Sequence, residues 1–500
     1  MDKLNILVIM SDQHNKKITG CYGDNLVRTP NIDKLAAEGM LFESCYCPSS
    51  VCVPSRMSFI SGRRPSENRV VNNYDILSSG IMTWPERLRE GGYHTALIGR
   101  MHFEGPDQFH GFETTYEELR HWRGNRPVEN QHMSERVPGN SYWSARKSIE
   151  DLSGSGRTFV QYRDEIVCQR GCEFLRSKVN SIESRPFAAV IGLYNPHPPY
   201  VGRKDLFDYY YERVSVPTDT LDLMPDYLSD YYSKYRDWEN PTLIDEESKR
   251  RARAAYYANC EHLDEQVGKI VNTLEETGLK KNTLVFYCSD HGDTLGRLGA
   301  WSKFNMYDDS AGIPMIACLP GVVPAGTVSR RNCNLRDLGN TFCEIAGVDF
   351  LNGSDSTSLW NILRGIEEPA LDRTESEIVL KPSPFGAEEH VAARMIMEGP
   401  WKLWCYHIDS KNYYSLFNLE EDPDELNDRI DDPALSDIIT SMKNILHENW
   451  DPEREEEDAA IRYMDRQELN KSWYSSWQKA GYPVLDDLDK DVDTPHTRKI

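Results

Sequence analysis

The sequence predicts an α/β protein with a mostly parallel central sheet flanked by helices, followed by a smaller C-terminal α+β domain. Three observations predict it. Short, largely apolar runs alternate with helical patterns, as in sheets covered on both faces. Four of the apolar runs end directly in polar strings: "SDQ" (Ser11–Gln13), "GRMH" (Gly99–His102), "NPH" (Asn195–His197) and "SDHGD" (Ser289–Asp293). From about residue 371 the texture changes to short alternating segments with tight turns.

The elements follow in order. Leu4 to Met10 reads as a buried strand, and "TPNIDKLAAEGM" (Thr29–Met40) as a helix with Pro in its first turn and Gly39 near its stop. "LFESCYC" (Leu41–Cys47) reads as one short strand. "WPERLREGGYHTALIGRMH" reads as a helix, a glycine stop, then a strand ending near Gly99. Phe187 to Tyr194 is a strand entering a Pro/His loop. A long helical pattern fills about residues 246 to 278, and "NTLVFYCS" (Asn282–Ser289) is another buried strand. After 371, "SEIVLKP", "HVAARMIMEGPWKLWCYH" and "YYSLFNLEEDPDE" read as antiparallel strands, with a helix near 434–447. The expected domains are a catalytic α/β domain over 1–370, an α+β subdomain over 371–450, and an acidic, aromatic tail over 451–500. That tail is expected to be either a helix packed on a partner subunit or an extension.

Five hundred residues exceed one typical domain. The net charge of −23 argues against a nucleic-acid or anionic-membrane partner. It also makes clustered Arg, Lys and His informative, because a site for an anion must be locally positive. No apolar stretch approaches the length of a membrane span, and the N-terminal run is too short for a signal peptide, so a cytoplasmic protein is expected. Twelve cysteines without repeated spacing are expected to be mostly free thiols.

In open α/β sheets, sites form at the carboxyl ends of strands. The four polar strings therefore converge on one crevice. Asp12, Asp290 and His291, with Gln13 beside the first, are candidate ligands for a divalent cation; the competing reading is that the two acids cap following helices. Arg56, Arg100, His102, His197 and Lys303 lie in or near the same loops. Fixed cations and a metal stabilise the oxygens of a phosphoryl or sulfuryl group in transfer, and an imidazole such as His197 suits protonation of the leaving oxygen. Cys52 is the candidate nucleophile, although a thiolate is poorly matched to a hard cation. A zinc cluster of Cys45, Cys47 and Cys52 lacks a matching second pair.

The stretch Cys52-Val53-Pro54-Ser55-Arg56 followed by Ser61-Gly62-Arg63 resembles the signature of the formylglycine-dependent sulfatases, departing only at Ile60, where that signature has Leu or Thr. "SDQ", "SDHGD" and "GRMHFEGPDQFHGFE" (Gly99–Glu113) are most similar to the branch holding choline sulfatases and phosphonate monoester hydrolases. That branch has Lys where this chain has Arg100. The likeness runs over most of residues 1 to about 450.

This resemblance implies an alkaline phosphatase-like fold and hydrolysis of sulfate esters through a covalent sulfo-enzyme, or of phosphonate monoesters and phosphodiesters with the same residues. It implies that a maturation enzyme oxidises Cys52 to Cα-formylglycine, whose hydrate attacks sulfur. Asp12, Asp290, His291 and modified Cys52 would then hold one Ca²⁺ or Mn²⁺, with Gln13 a further contact. The imidazole leans toward Mn²⁺. Arg56 would orient the nucleophile, and Asn73 and Arg100 would contact sulfate oxygens. His102 would take the proton that releases sulfate, while His197 and Lys303 would serve the leaving-group oxygen. The implied partners are a small-molecule or saccharide sulfate ester and, through the carboxyl end, other copies of the chain in a homo-oligomer. Residues 114–158 form a long insertion of the kind that shapes specificity. Trp122, Tyr142 and Trp143 there suit a quaternary ammonium, a sugar or loop packing alike, and Arg120, Arg123, Arg126 and Lys147 make the segment basic.

Overall fold

The computed structural model describes residues 3–116, 149–150, 152–179, 185–217, 221–235, 244–366, 372–380 and 391–479. The main sheet contains β1 (Asn5–Asp12), β2 (Met40–Phe42), β3 (His94–Gly99), β4 (Thr114–Tyr116), β5 (Phe187–Pro196), β6 (Thr283–Ser289), β7 (Met315–Cys318) and β8 (Thr327–Ser329). Their spatial order is β8-β2-β7-β6-β1-β5-β3-β4. Within this sheet only β7 runs against its neighbours; every other pair is parallel.

β1 shows why its sequence is apolar at consecutive positions. Ile6, Val8 and Met10 face one core, and Leu7 and Ile9 face another. Helices α1 (Pro30–Ala37), α2 (Cys52–Ser61), α3 (Trp84–Glu90), α4 (Phe159–Val179), α5 (Glu246–Glu276) and α6 (Asp337–Ala346) divide between the two faces. Leu175 of α4 and Leu263 and Val267 of α5 join the core of Leu7 and Ile9. Met57 and Phe59 of α2, Trp84 of α3 and Phe342 of α6 join that of Ile6 and Val8. Parallel strands cannot face water on either side without exposing such runs, so both faces are clothed.

"LFESCYC" is two short strands rather than one. β2 joins the main sheet, while Cys45–Tyr46 pairs in parallel with Cys333–Asn334 in a separate ribbon. None of the twelve cysteines is in a disulfide.

A second, four-stranded antiparallel sheet follows: β9 (Arg373–Leu380), β10 (Val391–Glu398), β11 (Trp401–Ile408) and β12 (Lys411–Asn418), in sequence order. α7 (Ser436–Leu446) packs on it through Met442 and Leu446. The tail begins with α8 (Pro452–Lys479), which leans on its own chain. Asp458 pairs with Arg69 at 2.5 Å, Arg462 with Asp75 at 3.4 Å and Arg466 with Glu104 at 3.3 Å. Residues 480–500 lie outside the described residues, as do Arg120, Trp122, Arg123, Arg126, Tyr142, Trp143 and Lys147 of the insertion. Among the described residues, no helix is long and apolar enough to cross a membrane.

Candidate active site

The parallel strands β6, β1, β5 and β3 are adjacent and end on one edge of the sheet, so their following residues meet. Asp12 is the last residue of β1, Asp290 follows β6, Arg100 follows β3 and His197 follows β5. Residues that follow these four strands come together there.

α2 supplies the rest. All ten of its residues are buried, and residue 52 is the first of them. Pro54 is tolerated because a first-turn residue has no helical partner for its nitrogen. Asn73 Oδ1 accepts from Val53 N at 3.0 Å, satisfying one of the free N–H groups at the helix start. Ser55 Oγ donates to Asp290 O at 2.6 Å and so ties the helix to the end of β6. Arg56 lies one helical turn beyond Cys52, on the same face.

The Arg56 guanidinium is wholly buried and spans three acceptors. Nε donates to Asp290 Oδ2 at 2.8 Å, Nη2 to Asp12 Oδ2 at 3.1 Å and Nη1 to Arg100 O at 2.9 Å. Arg100 Nε also donates to Asp12 Oδ2. Burial alone would raise the Asp12 pKa; Arg100, with His197 and Arg56 behind it, holds the carboxyl well below its usual range.

Three imidazoles point at residue 52. His291 Nε2 is 3.2 Å from Cys52 Sγ, and its Nδ1 donates to Gly292 O at 3.0 Å, which leaves the Nε2 lone pair turned inward. His102 and His197 stand near enough to residue 52 to help lower its thiol pKa. His197 Nδ1 donates to Pro198 O at 2.7 Å. His102 Nδ1 accepts from Arg100 Nη2 at 2.7 Å; a guanidinium has donors only, so His102 carries its proton on Nε2 in this state.

Lys303 Nζ is 2.9 Å from Cys52 Sγ, 2.9 Å from Gln13 Oε1 and 3.1 Å from His291 Nε2. Burial works against its charge, but Cys52, Asp12 and Asp290 raise its pKa. Burial would likewise raise the Cys52 thiol; Lys303, His291, His102 and His197 outweigh it and hold the thiol well below its ordinary value.

Gln13 sits at φ 68° and turns its amide between two charges. Nε2 donates to Asp293 Oδ2 at 2.7 Å and to Ser302 Oγ at 3.2 Å, and Asp293 Oδ2 also accepts from Tyr200 Oη at 2.8 Å.

The donor set fits a divalent cation. One ligand atom each from Asp12, Cys52, Asp290 and His291 lies within 4.8 Å of the others. Asp12 Oδ1 is buried and, among the described residues, has no hydrogen-bond partner. Two carboxylates and one imidazole suit Ca²⁺ or Mn²⁺, and an oxygen at residue 52 would complete the set better than sulfur.

All eleven candidate residues are thus accounted for. Asn73 stands slightly apart, outside the helix that carries residue 52 and bonded to its first turn. Sequence reasoning gave no role to Asp293, Tyr200 or Ser55, nor to Asp164 of α4, whose buried carboxylate accepts from Tyr194 N and Asn195 N at the end of β5. Asp293 and Ser55 stand inside the strings already singled out; Tyr200 and Asp164 carry no local signal.

The sulfatase family model matches residues 4–348, and that of the N-sulphoglucosamine sulphohydrolase C-terminal region matches residues 296–451. The choline-sulfatase of Rhizobium meliloti (strain 1021) is 32% identical, covering 95% of this chain and 93% of its own. The human iduronate 2-sulfatase is 29% identical over 64% of this chain and 60% of its own. The phosphonate monoester hydrolase structure from Agrobacterium radiobacter superposes with a TM-score of 0.70 at 20% identity, covering 89% of this chain and 95% of that one.

Proposed function

The chain belongs to the sulfatase family and is a sulfuric ester hydrolase, and from that premise we propose that residue 52, matured from cysteine to Cα-formylglycine, is its nucleophile beside one divalent cation. The observation that carries this reading is the meeting of residue 52 with Asp12, Asp290 and His291 inside 4.8 Å, under Lys303 and two further imidazoles.

Asp12, Asp290 and His291 would hold Ca²⁺ or Mn²⁺ together with residue 52, and Gln13 Oε1, which accepts from Lys303, would be a further contact. When bound, the cation supplies Lewis-acid polarisation of a sulfuryl oxygen. Arg56 orients the start of α2 against both carboxylates. Arg100 and Asn73 donate to sulfuryl oxygens. His197, anchored at Nδ1, presents Nε2 to the leaving oxygen, and Lys303 keeps a positive charge beside it. His102 starts with its proton on Nε2. Once Arg100 turns its N–H groups to the substrate, Nδ1 is freed, the proton can reside there, and Nε2 becomes the base that closes a double displacement.

Choline sulfate and a saccharide sulfate are both supported as substrate classes, by the relatives of those names. Phosphonate monoester or phosphodiester hydrolysis is the alternative, because a tetrahedral phosphoryl group would meet the same donors.

Mass spectrometry of the peptide around residue 52 tests the nucleophile: formylglycine is about 18 Da lighter than cysteine. Unmodified cysteine in fully active protein, or full activity in Cys52→Ala, would refute the assignment. Turnover of a sulfate monoester against a phosphodiester with the same aryl leaving group decides between the two ester classes.

A further inference from the structure

We propose that Asp164, on α4, is a positioning residue for this reaction: its buried carboxylate holds the turn from Tyr194 to Pro198 so that His197 meets the leaving-group oxygen. The inference rests on the reading of His197 given above.

The need for an anchor arises in the sheet. β1 and β5 pair in register as far as Met10 opposite Gly192; the next pair is Asp12 opposite Pro196. Two residues on β1 are therefore spanned by four on β5. Such a bulge takes backbone N–H groups out of the ladder, and buried N–H groups must find another acceptor.

Asp164 is that acceptor. It is 0% exposed and faces the end of β5 from α4. Oδ1 accepts from Tyr194 N at 2.6 Å; Oδ2 accepts from Asn195 N at 2.8 Å and from Asn195 Nδ2 at 2.6 Å. Three donors on one carboxylate are charge-assisted and fix the path of two consecutive residues. Tyr194 O then accepts from His197 N at 3.0 Å, and His197 Nδ1 is held on Pro198 O. The imidazole hangs from a turn whose start is fixed by Asp164.

The substitution Asp164→Asn keeps the shape but turns an amide N–H toward donors, so the turn loses an acceptor. The test uses matured, cation-loaded protein and two sulfate esters, one with an acidic phenol leaving group and one with an alkyl alcohol. Alkoxide departure depends on proton donation far more than phenolate departure does. In Asp164→Asn the alkyl-to-aryl ratio of kcat/KM is expected to fall by about 100-fold. His197→Ala is expected to lower the ratio similarly, and the double variant no further, as for groups acting as one unit. Asn195→Ala, which spares both backbone bonds, is expected to lower it less.

If Asp164→Asn slows both esters equally while His197→Ala shifts the ratio, Asp164 is merely structural and the proposal is overturned. If His197→Ala leaves the ratio unshifted, the assignment of His197 itself falls. Should Asp164→Asn not fold, Asn195→Ala decides: a wild-type ratio there overturns the positioning role.

Discussion

Lys303 Nζ stands 2.9 Å from Cys52 Sγ and an equal 2.9 Å from Gln13 Oε1. Lys303 is 5% exposed, and its ammonium is steered by a chain running from Tyr200 through Asp293 and Gln13. A preorganised charge in a water-poor site acts where negative charge develops. Lys303→Met is therefore expected to lower kcat/KM by about 100-fold or more in steady-state assays, with partial recovery in Lys303→Arg. A loss below tenfold would remove Lys303 from the reaction.

Arg56 forks between Asp12 and Asp290, and an ammonium cannot reach both carboxylates and Arg100 O together. Arg56→Lys is expected to cost roughly 3 kcal/mol in cation-free protein, since it leaves buried charge poorly matched. On the proposed reading Ca²⁺ or Mn²⁺ would bind the folded site alone, so saturating cation should restore about 2.7 kcal/mol at 100 times Kd, and chelation should destabilise the wild type. Urea unfolding with and without cation measures both. Identical midpoints in the two conditions would show that no cation binds there.

Glu375 of β9 is the centre of a different cluster, joining the second sheet to the catalytic part. Arg336 Nη2 is 2.5 Å from Oε1, Arg394 Nη2 is 2.7 Å from Oε2, and Arg64 Nη1 is 3.6 Å from Oε2. Burial would raise this carboxyl, but the arginines, Arg336 foremost, lower it from 4.5 to about 2. The displacement corresponds to roughly 3 kcal/mol. Because the folded value lies below the unfolded one, that stability is fully present above pH 4.5 and lost as the pH falls toward 2. Glu375→Gln should thus be less stable than wild type by roughly 3 kcal/mol at pH 7, and by less than half of that at pH 3. Denaturant unfolding at the two pH values checks it; a gap that does not shrink with acid would contradict the assignment.

How far the sequence revealed the site depends on where each residue's partners lie. β1, β5 and β6 were legible because burial on both faces leaves unbroken apolar runs, and their ends were legible because charge follows at once. Cys52 and Arg56 were legible together, since four residues of helix bring them to one face. Asp293 stood in a quoted string, yet its partner Gln13 is 280 residues away, and nothing local says that the two touch. Asp164 was invisible: α4 carries charged residues in most turns, and no periodicity marks the one acid that turns inward. The split of "LFESCYC" was hidden for a related reason, because its two halves pair with strands far along the chain.

Gly192 and Gly99 face each other across β5 and β3, and the space between them belongs to backbone. A Cβ on Gly192 would come to 2.0 Å from Arg100 O and 2.9 Å from Arg100 N, and these atoms cannot swing away as a side chain can. Arg100 N also donates to Gly192 O at 2.8 Å, so the strand end has to move as a unit. The same carbonyl, Arg100 O, accepts from Arg56 Nη1. A displacement there reaches both guanidiniums that hold Asp12. Gly192→Ala is therefore expected to cost about 2 kcal/mol in unfolding free energy and to lower kcat/KM at least about tenfold. Gly80→Ala is the matching control. Its Cβ meets only Ser78 Oγ at 3.5 Å, so it should stay within about 0.5 kcal/mol of wild type. Unfolding curves and kinetics measured on both variants decide the point: a Gly192→Ala protein indistinguishable from the control would mean that β3 and β5 do not approach as closely as this geometry requires.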